Sequence, residues 1–412
     1  MIPARAIPLL LALSICAWPA SDLSAEDFTV GQSGLATIQA AVDAALSNEQ
    51  PDDRVLIPPG TYLEAVFVSF DSLTGTNVQE RLSIQRTGTG QVVIQGSVGF
   101  PAMHLQDVEN VSLKKLTLDS GNSADSVPAL LIDGQTINVE CRQLLGVPGD
   151  DLGVVVVGST DLNPPTTSGV LFTKCDFSGM LRKGFWLNGV GHRISKCVAN
   201  GCGENAVVLD SFSRNGSIED LTAVASLAQD PDDTGYVTVR GTGHRLAEVS
   251  VSGAGMHGLF LDGEGHHVQD CDASGNGDSG YFINGGSAWL EDCSASGNLF
   301  GLRGGSPGLT VGGGRYNGNS SHGLLLSGDG SHLLSLVAKG NGGHGVLVKP
   351  EAERVVMRDC TLKNNGGEGA QVEGSLTWLE DNRGKQGDGF VDLGTDNGGR
   401  DNTVQSGSTN DF

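Results

Sequence analysis

The amino-acid sequence predicts an all-β chain, a right-handed parallel β-helix solenoid with a short N-terminal capping α-helix. Three observations predict it. A strand-like block recurs about every 22 residues, an asparagine and a cysteine recur in step with it, and 62 of 412 residues are glycine against 14 prolines. Glycine at that level without a G-X-Y period is not collagen, and the Val/Leu/Ile-rich blocks argue against disorder. Many turns joining short strands fit better.

The repeat is read from four matching blocks: Gly258-Leu-Phe-Leu-Asp262, Gly280-Tyr-Phe-Ile-Asn284, Gly323-Leu-Leu-Leu-Ser327 and Gly345-Val-Leu-Val-Lys349. Earlier coils carry Gly184-Phe-Trp-Leu-Asn188, Ala206-Val-Val-Leu-Asp210 and Tyr236-Val-Thr-Val-Arg240, and a later one Gly369-Ala-Gln-Val-Glu373. The period also suits leucine-rich repeats, but their LxxLxLxxN consensus and helical arm are missing. Three short strands per coil, separated by Gly/Asn/Ser turns, remain.

Asn276, Asn298, Asn319, Asn341 and Asn365 form one column. Asparagine tolerates the left-handed conformation of a tight corner, and stacked amides can hydrogen-bond along the axis. Cys175 and Cys197 keep the same spacing, as do Cys271 and Cys293, with Cys360 in a similar Asp-Cys context. With no CxxC and no zinc spacing, these thiols are expected to stack in the interior as small apolar groups.

Ahead of the coils, Met1 to Ala25 has one positive charge, an apolar run from Ile7 to Trp18 and a small residue at its end. That reads as a secretory signal, too short for a permanent membrane span. A lipoprotein reading through Leu13-Ser-Ile-Cys16 is weakened by isoleucine where a small residue is usual. The mature chain is thus expected to be secreted, periplasmic or on the cell surface, with no transmembrane segment. Residues 26–70 form the cap, with a helix over Thr37–Leu46 and Thr37 as its N-cap. Such a helix can cover the open end of the solenoid. Coils are expected over 71–383, and 384–412 reads as an irregular final coil or tail.

Forty-eight acidic against 25 basic residues give a formal net charge of −23. Such a surface repels nucleic acid and anionic lipid. It also repels polyuronate sugars unless a divalent cation or a local basic patch overrides the field.

Ile38-Gln-Ala-Ala-Val-Asp43 with Ile57-Pro-Pro-Gly-Thr-Tyr62, together with the coils, resembles the pectin-lyase-like superfamily of right-handed β-helices. The resemblance covers most of the mature chain at the level of fold. It implies pectate lyases, polygalacturonases, pectin methylesterases, mannuronan epimerases and non-catalytic relatives as comparators. Their motifs mostly fail here. The methylesterase likeness stops at Gly60-Thr-Tyr-Leu-Glu64, and within the coils paired aspartates occur only as Asp150-Asp151 and Asp232-Asp233. Asp230-Pro-Asp-Asp233 is similar to the DPHD-type motif of mannuronan epimerases, but Asp232 stands where that family has histidine.

The remaining signals are positional. Ser226 to Gly235 is an insertion of roughly nine residues, and Asp230, Asp232 and Asp233 cluster hard oxygen ligands suited to Ca²⁺. Because side chains alternate along a strand, the first and third positions after the leading residue of each block (Phe185 and Leu187 after Gly184) should face inward, and the second and fourth outward. The outward columns place Trp186, Phe260 and Phe282 beside Asn188, Asp210, Arg240, Asp262 and Asn284. Rings that stack on sugar faces beside groups that take hydroxyls make a sugar-binding groove. Within it, Asp210, Arg240 and Asp262 are the expected catalytic set. Two carboxylates flanking one arginine suit glycoside hydrolysis, or removal of a uronate C5 proton. Histidines 192, 244, 257, 266, 322, 332 and 344 read as a turn preference. The function expected is polysaccharide binding, with lyase, epimerase or hydrolase chemistry. The alternative is a non-catalytic surface or matrix solenoid.

Overall fold

A computed structural model describes residues 25–47, 52–70, 81–121, 126–158, 167–225, 235–385, 387–404 and 408–412. The expected signal segment and the acidic insertion lie outside these residues. The chain winds through three parallel sheets. In each coil it passes through a 16-stranded sheet (sheet 1), then a side made of four- and nine-stranded sheets (sheet 2), then a 14-stranded sheet (sheet 3). Isolated bridges Leu145–Asp176, Asp176–Val198 and Val198–Thr222 join the two parts of sheet 2. One coil reads His267–Gln269, Asp272–Ala273, Ser279–Ile283, and the next begins at Trp289–Glu291.

Register follows the repeat. Val208 pairs with Thr238, Thr238 with Phe260 and Phe260 with Phe282, so equivalent block positions stack in columns. The first and third positions fill the core as expected: Val207, Leu209, Leu259, Leu261, Tyr281 and Ile283 are buried. The cysteine column is interior too, with Cys141, Cys175, Cys197, Cys202, Cys271, Cys293 and Cys360 buried and free.

The asparagine column runs through the corner between sheets 2 and 3 as a chain of amides. Asn298 Nδ2 donates to Asn319 Oδ1 (3.2 Å), Asn319 to Asn341 (3.0 Å) and Asn341 to Asn365 (3.0 Å). Asn365 Nδ2 then donates to the Asp388 carboxylate at 2.6 Å, an acceptor that ends the line. The expectation of left-handed asparagines is corrected. The positive φ belongs to the residue before each one: Gly275, Gly297, Gly318, Gly340 and Asn364. Glycine takes that conformation without a steric penalty, which frees the asparagine to point inward.

The ladder also explains the strand glycine. A Cβ on Gly301 would stand 2.8 Å from Asn319 Nδ2 and 2.5 Å from the Gly323 carbonyl oxygen. Gly323 and Gly345 are confined in the same way by Asn341 and Asn365.

The cap helix spans Ile38–Ser47 and buries Ile38, Ala41, Val42 and Ala45. Ala40 N donates to Thr37 Oγ1 (3.0 Å), so Thr37 caps it as expected. The Glu64 carboxylate accepts from the backbone of Ile38 (2.8 Å) and Gln39 (3.1 Å), a charge placed where the helix dipole favours it. The Gln39 amide bonds both the N–H and the C=O of Phe67, covering part of the first strand edge of sheet 3. At the other end, strands Phe390–Asp392, Gly398–Arg400 and Thr403–Val404 continue the three sides, so the expected irregular tail carries regular pairing.

Candidate functional site on the outer face of sheet 3

The second block positions point outward from sheet 3 in the order Trp186, Val208, Thr238, Phe260, Phe282, Arg303. The fourth positions, Asn188, Asp210, Arg240, Asp262 and Asn284, follow at the strand ends. Asp210, Arg240 and Asp262 therefore lie on three consecutive coils. With strands about 4.8 Å apart, the two aspartates are roughly 10 Å apart at Cα.

Trp186 Nε1 donates to Asp210 Oδ2 (3.1 Å), and Asp210 Oδ1 accepts from Ser211 N (2.7 Å). That carboxylate is thereby held against the indole. Arg240 stands over the Phe260 ring, 6.0 Å from its centroid, and no carboxylate pairs with it among the described residues. The Asp262 carbonyl accepts from the His266 ring (3.2 Å).

The stripe differs from an open aromatic platform. Trp186 and Phe282 are half-buried, but Phe260 is 6% exposed, and Thr238 and Val208 are buried between them. Phe260 and Phe282 meet edge to face, with ring centroids 5.5 Å apart. Asn188 is half-buried and Asn284 exposed.

Next to Phe282 the structure assembles a group that sequence reasoning missed. Arg303 lies 4.9 Å from the Phe282 ring centroid and 5.4 Å from that of Phe300. Its Nη1 donates to Asp278 Oδ2 (3.0 Å), which also stands 3.4 Å from His257 Nδ1. His257 is buried with its ring 4.6 Å from Phe282. The signal available was a histidine before the strand glycine, which the turn reading absorbed. A second polar group flanks Trp186. Lys183 stands 5.7 Å from its ring and pairs with Glu204, which also accepts from Arg182 Nε (2.8 Å). Burial alone would raise the Glu204 carboxyl. The bonds from Lys183 and Arg182 outweigh burial and hold it below the ordinary carboxylate range.

His192, His244, His266, His322 and His344 sit outside the strands as expected, whereas His332 opens a strand of sheet 1. His192 Nδ1 accepts from Val170 N (3.3 Å), and His244 Nδ1 from Gly216 N (2.9 Å). Burial pushes both rings down to about 4, and both are neutral at pH 7. Among the described residues no group of three His, Cys, Asp or Glu could hold a metal ion. Asp230, Asp232 and Asp233 lie outside those residues. No described helix is long and apolar enough to cross a membrane.

Residues 235–383 match the family model described as right handed beta helix region. No curated protein matches the chain in sequence. Among solved structures, it is similar to the catalytic domain of a GH87 alpha-1,3-glucanase in complex with tetrasaccharides. There the identity is 9% and the TM-score 0.50, with 100% of this chain and 71% of that one covered. A mannuronic acid specific polysaccharide family 6 lyase from human gut microbiota aligns at 13% identity and TM-score 0.47, over 92% of this chain and 82% of that one. The A-module of an Azotobacter vinelandii mannuronan C-5 epimerase aligns at 15% and 0.35, over 89% and 94%. At these identities the likeness is one of fold. The chain has a right-handed parallel β-helix fold.

Proposed function

We propose that this is an exported solenoid that binds a polysaccharide along the outer face of sheet 3. The observation that carries the reading is Arg240, a cation with no acidic partner among the described residues, between Asp210 and Asp262 and beside the Trp186–Asp210 pair. An arginine left unpaired on a chain of net charge −23 is available to a ligand's hydroxyl, carboxylate or sulfate oxygens. Trp186 and Phe282 add partly exposed ring surface for sugar faces. The fold is shared with a glucanase solved with tetrasaccharides, which supports a glycan as the ligand class.

Turnover is the finer part of the proposal. Arg240 would neutralise a uronate carboxylate while an aspartate takes the adjacent proton, or Asp210 and Asp262 would flank a glycosidic bond. A second reading, binding without chemistry, is favoured by one observation: Asp210 is committed to the indole and to Ser211 N. The acidic insertion is proposed to hold Ca²⁺ weakly through Asp230, Asp232 and Asp233. Purified protein incubated with a polysaccharide panel tests the scheme. Unsaturated products would mark a lyase, new reducing ends without unsaturation a hydrolase, a changed uronate composition without cleavage an epimerase, and binding alone the second reading. No interaction with any glycan would end the proposal.

A further inference from the structure

From Lys115 onward, the corner between sheets 1 and 2 is turned in each coil by a residue with left-handed backbone. From the N-terminal side these residues include Lys115, Lys174 and Lys196, with φ between 54° and 58°. Arg86 occupies the equivalent place one coil before Lys115, since Gln85 pairs with Lys114. At Asp220 the column changes sign and continues as Glu248, Asp270 and Asp292, with φ between 50° and 54°. Left-handed backbone favours Gly, Asn and Asp over Lys. The acidic half is therefore what the turn itself selects, and the lysines are not. Although the chain has 48 acidic residues, none pairs with Arg86, Lys115, Lys174 or Lys196 among the described residues.

Beside the basic half is a hollow of about 300 Å³ lined by Arg86, Gln91, Lys115, Thr117, Gln143 and Lys174 with two leucines. No described carboxylate lines it. Arg86 Nε is buried there without a partner. This corner lies across the coil from sheet 3, so it is separate from the groove above.

We propose that the hollow and its lysine edge bind a short acidic oligosaccharide through its carboxylate or sulfate groups. From Arg86 to Lys196 is four coil steps, roughly 19 Å, which sets the length of anion that fits. A longer polyanion would run onto Asp220 and Glu248 and be repelled. The lining has no aromatic ring, which single-stranded nucleic acid needs for stacking. Gln143 is exposed and offers an amide that sugar hydroxyls take, and Gln91 is held at the hollow by its bond to Thr117 Oγ1 (3.0 Å). The inference does not depend on the sheet 3 reading.

The test uses the full chain, Arg240→Ala, and the double variant Lys115→Asn/Lys174→Asn, titrated at low salt. The probes are a galacturonate hexamer, a heparin-derived hexasaccharide, and a single-stranded oligonucleotide of matching charge. Wild type should bind one of the two sugars, and which one separates carboxylate from sulfate as the anion read. The double variant should lose at least about tenfold in affinity. Its melting temperature should hold or rise, because asparagine accepts the left-handed corner. The same double substitution is also made in the Arg240→Ala background, which removes any binding of these anions at sheet 3 from the comparison. Unchanged affinity in the double variant, no binding of either sugar by wild type, a lowered melting temperature, or equally tight binding of the oligonucleotide would each overturn the proposal.

Discussion

Trp186 and Asp210 are hydrogen-bonded across adjacent coils, indole Nε1 to carboxylate Oδ2 at 3.1 Å. The bond fixes the ring that would stack on a sugar and ties up one of the two aspartates beside Arg240. Trp186→Phe keeps an aromatic surface but removes the donor. Its glycan affinity should fall by less than that of Trp186→Ala, and stability should change by no more than about 1 kcal/mol, the usual worth of one such bond. Titration calorimetry and thermal melts check this. Equal affinity losses in both variants would mean that the bond, not the ring face, matters.

Interrupting the amide ladder should be far more costly. Asn319 is buried, donates to Asn341 Oδ1 and to the Ala295 carbonyl, and accepts from Asn298. Asn319→Ala leaves several buried groups unpaired and should lose about 2–4 kcal/mol in urea unfolding. Gly301→Ala should destabilise through the same neighbour, because its Cβ has no room beside Asn319 Nδ2. A Gly301→Ala protein as stable as wild type would contradict the coupling of the two columns.

Stability should fall on acidification because the turn histidines are buried neutral. Burial holds His192 and His244 at about 4, below the ordinary value of 6.5. The unfolded chain then binds more protons than the folded one, so stability drops as pH falls from about 6.5 toward 4 and levels off below. Each ring contributes roughly 3 kcal/mol at most. Urea midpoints at intervals between pH 7 and pH 4 should show the decline, with a shallower slope in His244→Gln. A midpoint independent of pH across that window would be inconsistent with this burial.

The interior thiols should be inert until the protein unfolds. Burial pushes the Cys202 thiol up to about 11 and that of Cys360 up to about 12, and neither is exposed. A chromogenic disulfide reagent at pH 8 should leave the seven described thiols unmodified in the native protein and label them in denaturant. Fast native labelling at Cys360 would contradict the interior column.

The solenoid, its period and its cap were legible because each depends on local signals repeated many times: a glycine, an alternating block, an asparagine. The Gly-Asn pair was legible but ambiguous. Either residue can be left-handed, and only the three-dimensional ladder shows that Gly297 turns so that Asn298 can point inward. The Arg303–Asp278–His257 group was not legible, because its members come from different coils and Asp278 lies in a corner outside the strand block. Covering of Phe260 was equally hidden, since alternation gives a direction but not what lies above it. The basic corner was within reach. The residue before Cys175, Cys197, Cys271, Cys293 and Cys360 reads Lys174, Lys196, then Asp270, Asp292 and Asp359, a change of sign along one column.

The polysaccharide reading of sheet 3 rests on Arg240, and its replacement is the most direct test. Arg240 is half-buried at a strand end with no ion pair among the described residues, so Arg240→Ala should leave the melting temperature nearly unchanged. Binding or turnover of the glycan identified by the panel, measured by titration calorimetry and product release, should be lost by about tenfold or more. Wild-type glycan affinity in a folded Arg240→Ala protein, or a large fall in stability with binding intact, would contradict the account.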